Sequence, residues 1–254
     1  MSRIIAVANQ KGGVGKTTTT INLSACLAQA GKRVLVTDMD PQGNTTSGFG
    51  VDKYALRRSI YHLLWGDSYL EQVILPVCVE GLHLLPANQE LVGAEIELNA
   101  KPKREFLLRE IFSHARYLFD YIIIDCPPSL NILTLNALCA ADTILVPLQC
   151  EYYAMEGLTQ LRNTIELIQR NLNPKLCIEG VVFTMYDART NLSAQVVDEV
   201  KKHLGEHTYK SIIPRNVRLS EAPSHGLPIT LYDPNSKGAE AYELLAQEVI
   251  EKET

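Results

Sequence analysis

The chain has 254 residues, 46% of them hydrophobic and 21% charged, with a formal net charge of −5 and a sequence isoelectric point near 5.7. That length and apolar content supply a well-buried core, for one large domain or two small ones, and exclude a disordered chain. The acidic balance excludes a globally basic nucleic-acid binder but leaves room for a local basic face. With neither a signal peptide nor a run of 18 apolar residues, the expectation is a cytoplasmic protein.

Taken in chain order, Ile4–Ala8 predicts a first strand that runs straight into a glycine-rich turn, followed by a helix over Thr18–Ala30. Strands are predicted at Val34–Thr37 and Leu82–Leu85, then a helix over Lys103–His114 and a strand at Tyr121–Ile124. A helix over Leu133–Ala140, a strand at Thr143–Pro147, a helix over Met155–Asn171 and a strand at Ile178–Thr184 continue the alternation. Helices over Leu192–Leu204 and Lys237–Glu251 end it. The strands are almost continuously apolar, as strands covered on both faces of a parallel sheet are. Strand and helix alternate without a linker, repeat or low-complexity tract. The expected fold is therefore α/β: a doubly wound, mostly parallel sheet flanked by helices, in a single domain spanning 1–254. Because the first strand reaches the glycine turn at residue 9, no N-terminal helix-turn-helix domain is expected. None of the six cysteines (Cys26, Cys78, Cys126, Cys139, Cys150 and Cys177) falls in a Cys-x-x-Cys pair. They read as buried, reduced thiols.

The turn is Gln10-Lys11-Gly12-Gly13-Val14-Gly15-Lys16-Thr17. Its Gly15-Lys16-Thr17 end fits a phosphate-binding loop, in which Lys16 binds β/γ-phosphates and the Thr17 hydroxyl binds magnesium. Gly12, Gly13 and Gly15 let backbone N–H groups surround an anion at a helix N-terminus. The position of the first loop glycine holds Gln10, and Lys11 is a second cation beyond the usual one. Either Lys11 is a solvated loop lysine or it serves phosphates on another subunit.

Two strand ends add acids. Asp38 and Asp40 lie in Thr37-Asp38-Met39-Asp40-Pro41-Gln42-Gly43-Asn44, and Asp125 in Ile124-Asp125-Cys126-Pro127-Pro128. In a parallel sheet the carboxyl ends of strands gather on the edge that carries the glycine turn. Asp125 fits a Walker-B acid, with a helix N-cap as the alternative. Asp38 fits a magnesium ligand acting through water, and Asp40, further out, fits an acid that positions an attacking water. An Asp-Pro turn is the competing reading of the pair.

Lys11-Gly12-Gly13-Val14-Gly15-Lys16-Thr17, Asp38-x-Asp40-Pro41-Gln42-Gly43-Asn44 and Ile122-Ile123-Ile124-Asp125-Cys126-Pro127-Pro128 together resemble the deviant Walker-A ATPases. Within these, the chain resembles the chromosome-partitioning ParA proteins of the Soj type. The resemblance extends to Gln149-Cys150-Glu151-Tyr152-Tyr153-Ala154-Met155-Glu156-Gly157 and to the stretch from Ile213 to Ser224. It implies an ATPase with ATP/ADP and Mg2+ as cofactors and slow intrinsic turnover. The implied nucleotide-binding residues are Lys11, Gly12, Gly13, Val14, Gly15, Lys16, Thr17 and Thr18, with Met185, Pro214 and Asn216 near the adenine. The implied metal residues are Thr17, Asp38 and Asp125, the aspartates through water, and the implied catalytic residues are Lys11, Lys16 and Asp40.

The same resemblance implies an ATP-dependent sandwich homodimer with Lys11, Gly12 and Glu151 at its interface. In it Lys11 reaches the partner's phosphates, where it offsets the charge of two facing nucleotides. It further implies non-specific double-stranded DNA binding through Arg189, Lys201, Lys202 and Arg218, and association with the nucleoid when ATP is bound. Hydrolysis would be stimulated by a ParB/Spo0J-type centromere-binding protein. Residues 185–218 hold six basic and four acidic side chains, which is also compatible with an ordinary solvated surface. Asn216 likewise has a plain reading as a turn residue.

Three alternatives share parts of this pattern. A membrane-cycling relative of the MinD type needs a cationic amphipathic C-terminal helix, whereas Ala239–Glu251 is acidic. An iron–sulfur relative of the nitrogenase iron protein would need cysteines from two subunits, and only Cys126 lies beside the motif. A non-enzymatic scaffold is disfavoured by the intact set Lys16, Thr17, Asp40 and Asp125.

Overall fold

The computed structural model describes residues 2–152 and 154–252; the side chains of Glu95 and Glu206 are outside the description, as is Tyr153 of the 149–157 motif. Eight strands form one sheet: β1 Arg3–Val7, β2 Val34–Asp38, β3 Leu75–Pro76, β4 Leu82–Leu85, β5 Tyr121–Asp125, β6 Thr143–Gln149, β7 Cys177–Tyr186 and β8 Thr208–Pro214. Their order is β3-β4-β2-β5-β1-β6-β7-β8, and every neighbouring pair is parallel except β3–β4. The helices are α1 Lys16–Gln29, α2 Asn44–Gly48, α3 Ile60–Trp65, α4 Leu91–Glu97, α5 Leu107–Ala115, α6 Ile132–Ala140, α7 Ala154–Asn171, α8 Asn191–Leu204, α9 Val217–Glu221, α10 Ile229–Tyr232 and α11 Lys237–Glu251.

Both faces of the sheet are covered, which explains the unbroken apolar strands. Ile4 and Ala6 of β1 point into a core shared with α3 to α8, while Ile5 and Val7 point into a second core with α1, α10 and α11. Residues in β2 and β5 are buried throughout. The architecture is thus a doubly wound sheet between two helical layers.

The sequence reading missed both edge strands. In β8 buried and more exposed positions alternate, the signature of a half-covered edge, and β3 is two residues long and contains Pro76. The helix expected over Lys103–His114 begins later. Lys103 has φ 53°, a left-handed conformation that cannot continue a helix, and a 3-10 turn at Arg104–Phe106 precedes α5. Two cysteines also depart from expectation, since Cys78 and Cys177 are exposed while the other four are buried. No described helix is long and apolar enough to cross a membrane. The apolar face of α11 is already used: Tyr242, Leu245 and Val249 are buried in the core that α11 shares with α1 and β8.

Candidate active site

The site forms at the carboxyl edge of the central strands. β1 lies between β5 and β6, so the chain leaving β1 enters the crevice where the strand order reverses. There Gly13 and Gly15 adopt φ 74° and 88°, left-handed values that the loop needs in order to turn its N–H groups inward. Gly15 caps α1 without any side-chain hydrogen bond, and the first turn of α1 has no acid. The helix therefore presents unpaired N–H groups and its positive end to the crevice. Thr184 at the end of β7 fixes the loop from the other side by donating to the Val14 carbonyl at 2.8 Å.

Lys16 is buried, and its ammonium donates to the Lys11 carbonyl at 3.1 Å. Burial pulls its pKa below the ordinary lysine value, against the attraction of Asp125. An ammonium curled back onto its own loop, with a carbonyl as partner, is ready to turn to an anion.

Asp38 and Asp125 are register partners at the ends of β2 and β5, so their carboxyls stand side by side. Asp125 Oδ2 accepts from Thr17 Oγ1 at 2.8 Å and from Thr45 Oγ1 at 2.7 Å. Asp38 Oδ2 accepts from the N–H and the hydroxyl of Thr46, at 2.8 and 2.7 Å, and Asp38 Oδ1 accepts from the Asp40 N–H at 3.1 Å. Both carboxyls are fully buried, and burial first of all pushes both pKa values upward; the Asp125 charge adds to this at Asp38. Hard oxygen donors from Thr17 and Asp125 beside a second acid suit magnesium, whose charge would offset the electrostatic cost of burying both. Asp40 lies outside this pair, on the wall of an open cleft of about 650 Å³ that is also lined by Gly12, Gly13, Lys16, Thr17 and Thr18. Phosphate-binding, metal-binding and water-positioning candidates thus share one crevice.

Beyond Thr17 and Thr18, three further threonines belong to the site and were missed. Thr45 and Thr46 hold the two acids from consecutive positions of α2, and Thr20 lies 3.4 Å from Asp125 Oδ1. A short helix of Asn, Thr, Ser and Gly has no apolar period to announce it, and the only available signal was a pair of hydroxyls just after the Asp-Pro turn.

The adenine candidates line a smaller recess of about 170 Å³ that adjoins the loop at Gly15 and Thr18, with Met185, Pro214 and Asn216 in its wall. Met185 has φ 51°, an uncommon value for a side chain of its size. Asn216 is the N-cap of α9, its Oδ1 accepting from the Arg218 N–H at 2.8 Å, which leaves its amide N–H groups for the recess.

Lys11 turns away from its own loop. Its ammonium pairs with Glu151 Oε2 at 2.6 Å, beyond the end of β6. Gly12 is exposed, and a Cβ there would meet nothing within 4 Å. Cys126 is buried, and burial beside Asp125 pushes its thiol pKa up, so it is held as a neutral thiol. Among the described residues, no group of three or more His, Cys, Asp or Glu is assembled to hold a metal ion.

The four basic residues implied for DNA contact lie on or beside α8 and α9. Arg189 precedes α8 and is paired with Asp187 at 2.7 Å; Arg218 on α9 is paired with Glu221 at 2.9 Å and Asp233 at 3.4 Å. Lys201 and Lys202 are exposed in the last turn of α8, roughly 15–20 Å along that helix from its start. They therefore lie toward the opposite edge of the sheet from Arg189.

A phosphate loop on the central strand of a parallel sheet, backed by two strand-end carboxyls, places the protein among the P-loop nucleoside triphosphatases. A family model described as an AAA domain matches residues 2–178. The chain is 57% identical to the sporulation initiation inhibitor protein Soj of Bacillus subtilis (strain 168), covering 98% of each. It is 51% identical to the chromosome partitioning protein ParA of Myxococcus xanthus (strain DK1622), covering all of this chain and 90% of that one. Among solved structures, one described as cobyrinic acid a,c-diamide synthase from Mycobacterium smegmatis, with bound ADP and magnesium, superimposes with a TM-score of 0.86 at 40% identity, covering 98% of this chain and 94% of that one. The chain belongs to the ParA/Soj family of chromosome-partitioning ATPases.

Proposed function

We propose that the protein is an ATP-driven DNA-partitioning switch. Its ATP-bound form would be a sandwich dimer that binds DNA without sequence preference, and a ParB-type partner would trigger hydrolysis and release. The observation that carries this reading is the orientation of Lys11. Lys16 already serves the loop, whereas the Lys11 ammonium is held outside it, on Glu151, which supports a role toward the phosphates of a facing subunit.

In this reading the N–H groups of Gly13, Val14 and Gly15 and the Lys16 ammonium bind the β- and γ-phosphates, and Thr18 flanks them. Thr17 would hold magnesium, with Asp38 and Asp125 acting through water. When bound, the metal would supply positive charge that stabilises the transferring group. Asp40 orients the attacking water from the cleft wall. Asn216 offers its free amide to the adenine edge, between Met185 and Pro214. Arg189 and Arg218 would exchange their acidic partners for DNA phosphates, with Lys201 and Lys202 as separate contacts. Such binding is salt-sensitive and weak for one subunit, and a dimer strengthens it through effective concentration.

A membrane-cycling role is less well supported, because α11 buries its apolar face within the fold. The protein would instead act as an ATPase in the cytoplasm, on the nucleoid when ATP is bound. Sizing in ADP and in a non-hydrolysable ATP analogue, with and without random-sequence DNA, tests the proposal. The expected result is a monomer in ADP and a DNA-retained dimer in the analogue. A monomer in both nucleotides would refute it.

A further inference from the structure

The turn that carries Asp40 is held by a side chain from outside the phosphate loop and the two buried acids. Asp40 Oδ1 accepts the Gln42 N–H at 2.9 Å, and the Gly43 N–H donates to the Asp40 carbonyl at 2.8 Å. The Asp40 carboxylate is therefore aimed by the backbone of Gln42, and its direction is only as fixed as that residue. One flank of the turn is walled by backbone. Gly43 has φ 60°, and a Cβ there would lie 2.9 Å from the Ala87 carbonyl oxygen. The other flank is Lys53. Its ammonium donates to the Gln42 carbonyl, and its Cδ lies 3.0 Å from the same Gly43 Cβ position.

Lys53 is itself well placed for this. The Val51 N–H donates to the Thr46 carbonyl at 3.2 Å, tying the segment to α2, and the Tyr54 N–H donates to Asp52 Oδ1 at 2.9 Å. Among the described residues Lys53 forms no ion pair with a carboxylate; its ammonium donates to the Gln42 carbonyl and lies 5.6 Å from the centre of the Tyr54 ring. Gln42 is thus held on both sides, by Asp40 through its N–H and by Lys53 through its C=O.

We propose that Lys53 is a positioning residue for ATP hydrolysis: by holding the Gln42 carbonyl it fixes the N–H that orients the Asp40 carboxylate. This rests on the reading of Asp40 as the acid that positions water. Displacements of about 1 Å near reacting groups cost up to about 10²-fold in rate, so a side chain that never touches ATP can govern turnover.

The test compares phosphate release by the 254-residue chain at saturating MgATP for the wild type, Lys53→Met, Lys53→Arg and Asp40→Ala. Lys53→Met keeps most of the apolar stem and removes the donor. Its kcat is expected to fall about tenfold with ATP affinity within about twofold, and Lys53→Arg to restore most of the loss. In an Asp40→Ala background, Lys53→Met should add nothing, because both act on one group. Unchanged turnover in Lys53→Met while Asp40→Ala is inactive overturns the role of Lys53 alone. Full turnover in Asp40→Ala overturns the reading of Asp40 on which it rests. A parallel loss of ATP affinity and thermal midpoint in Lys53→Met, not repaired by arginine, makes Lys53 a structural brace and also overturns the proposal.

Discussion

Lys11 and Glu151, 140 residues apart in sequence, form an ion pair at 2.6 Å within one chain. The side chains are 39% and 47% exposed, so the pair contributes only about 0–1 kcal/mol to stability. So weak a contact would be easily surrendered to a second subunit in the proposed dimer. Glu151→Gln is expected to leave the thermal midpoint nearly unchanged. With a non-hydrolysable ATP analogue, the dimer should form at up to about fivefold lower protein concentration, read by light scattering. A weaker dimer would show that Glu151 works across the interface and not as a holding site for Lys11.

Lys16→Ala should abolish ATP binding in calorimetry, because among the described residues Lys16 is the only buried lysine or arginine. Retained micromolar binding would refute the phosphate-loop assignment.

The buried acids give the metal- and nucleotide-free protein a pH signature. Asp38 is raised to about 7 and Asp125 is raised as well, mainly by burial. Between the ordinary carboxyl range and about 7 the native state therefore holds more protons than the unfolded chain. Stability should accordingly fall as pH rises through that window. Thermal melts from pH 4.5 to 8 are expected to show the decline, and Asp38→Asn should flatten it. Added magnesium should raise the midpoint more at pH 8 than at pH 5, since protons compete for the same oxygens. A stability that climbs across this window would contradict the assignment.

Met185 tests the backbone of the adenine recess. At φ 51°, a β-branched side chain is strained, so Met185→Ile should cost about 1–2 kcal/mol in urea denaturation. Met185→Gly should stay within about 1 kcal/mol of wild type, relief of strain offsetting lost chain entropy. Equal losses in both variants would place the importance of Met185 in its side-chain packing.

Arg218→Glu should remove DNA retention at low salt while leaving ATP-driven dimerisation intact, as measured by filter binding beside sizing. If both properties fail together, the DNA surface and the dimer surface are not separable at this residue.

The phosphate loop was legible because its chemistry demands fixed residue types at fixed spacing, and the inner strands because burial on two faces leaves an apolar run. Asp38 and Asp125 could be placed on one edge from topology alone. Their adjacency is a matter of register between β2 and β5, which sequence does not state. The edge strand β8 escaped notice because half of its side chains are only partly covered. Thr45, Thr46 and Lys53 were missed for another reason: each acts through hydrogen bonds to partners set by the fold, and nothing in composition or period marks such a residue. The spacing of the basic residues followed the same rule, since closeness between Arg189 and Lys201 in sequence becomes a helix length in space.

Thr45 and Thr46 grip different carboxyls from successive positions of α2. Successive helical residues point about 100° apart, so α2 cannot rotate appreciably and keep both bonds. Turning this one small helix would therefore loosen both acids at once, leaving Asp125 on the Thr17 hydroxyl and Asp38 on the Asp40 N–H.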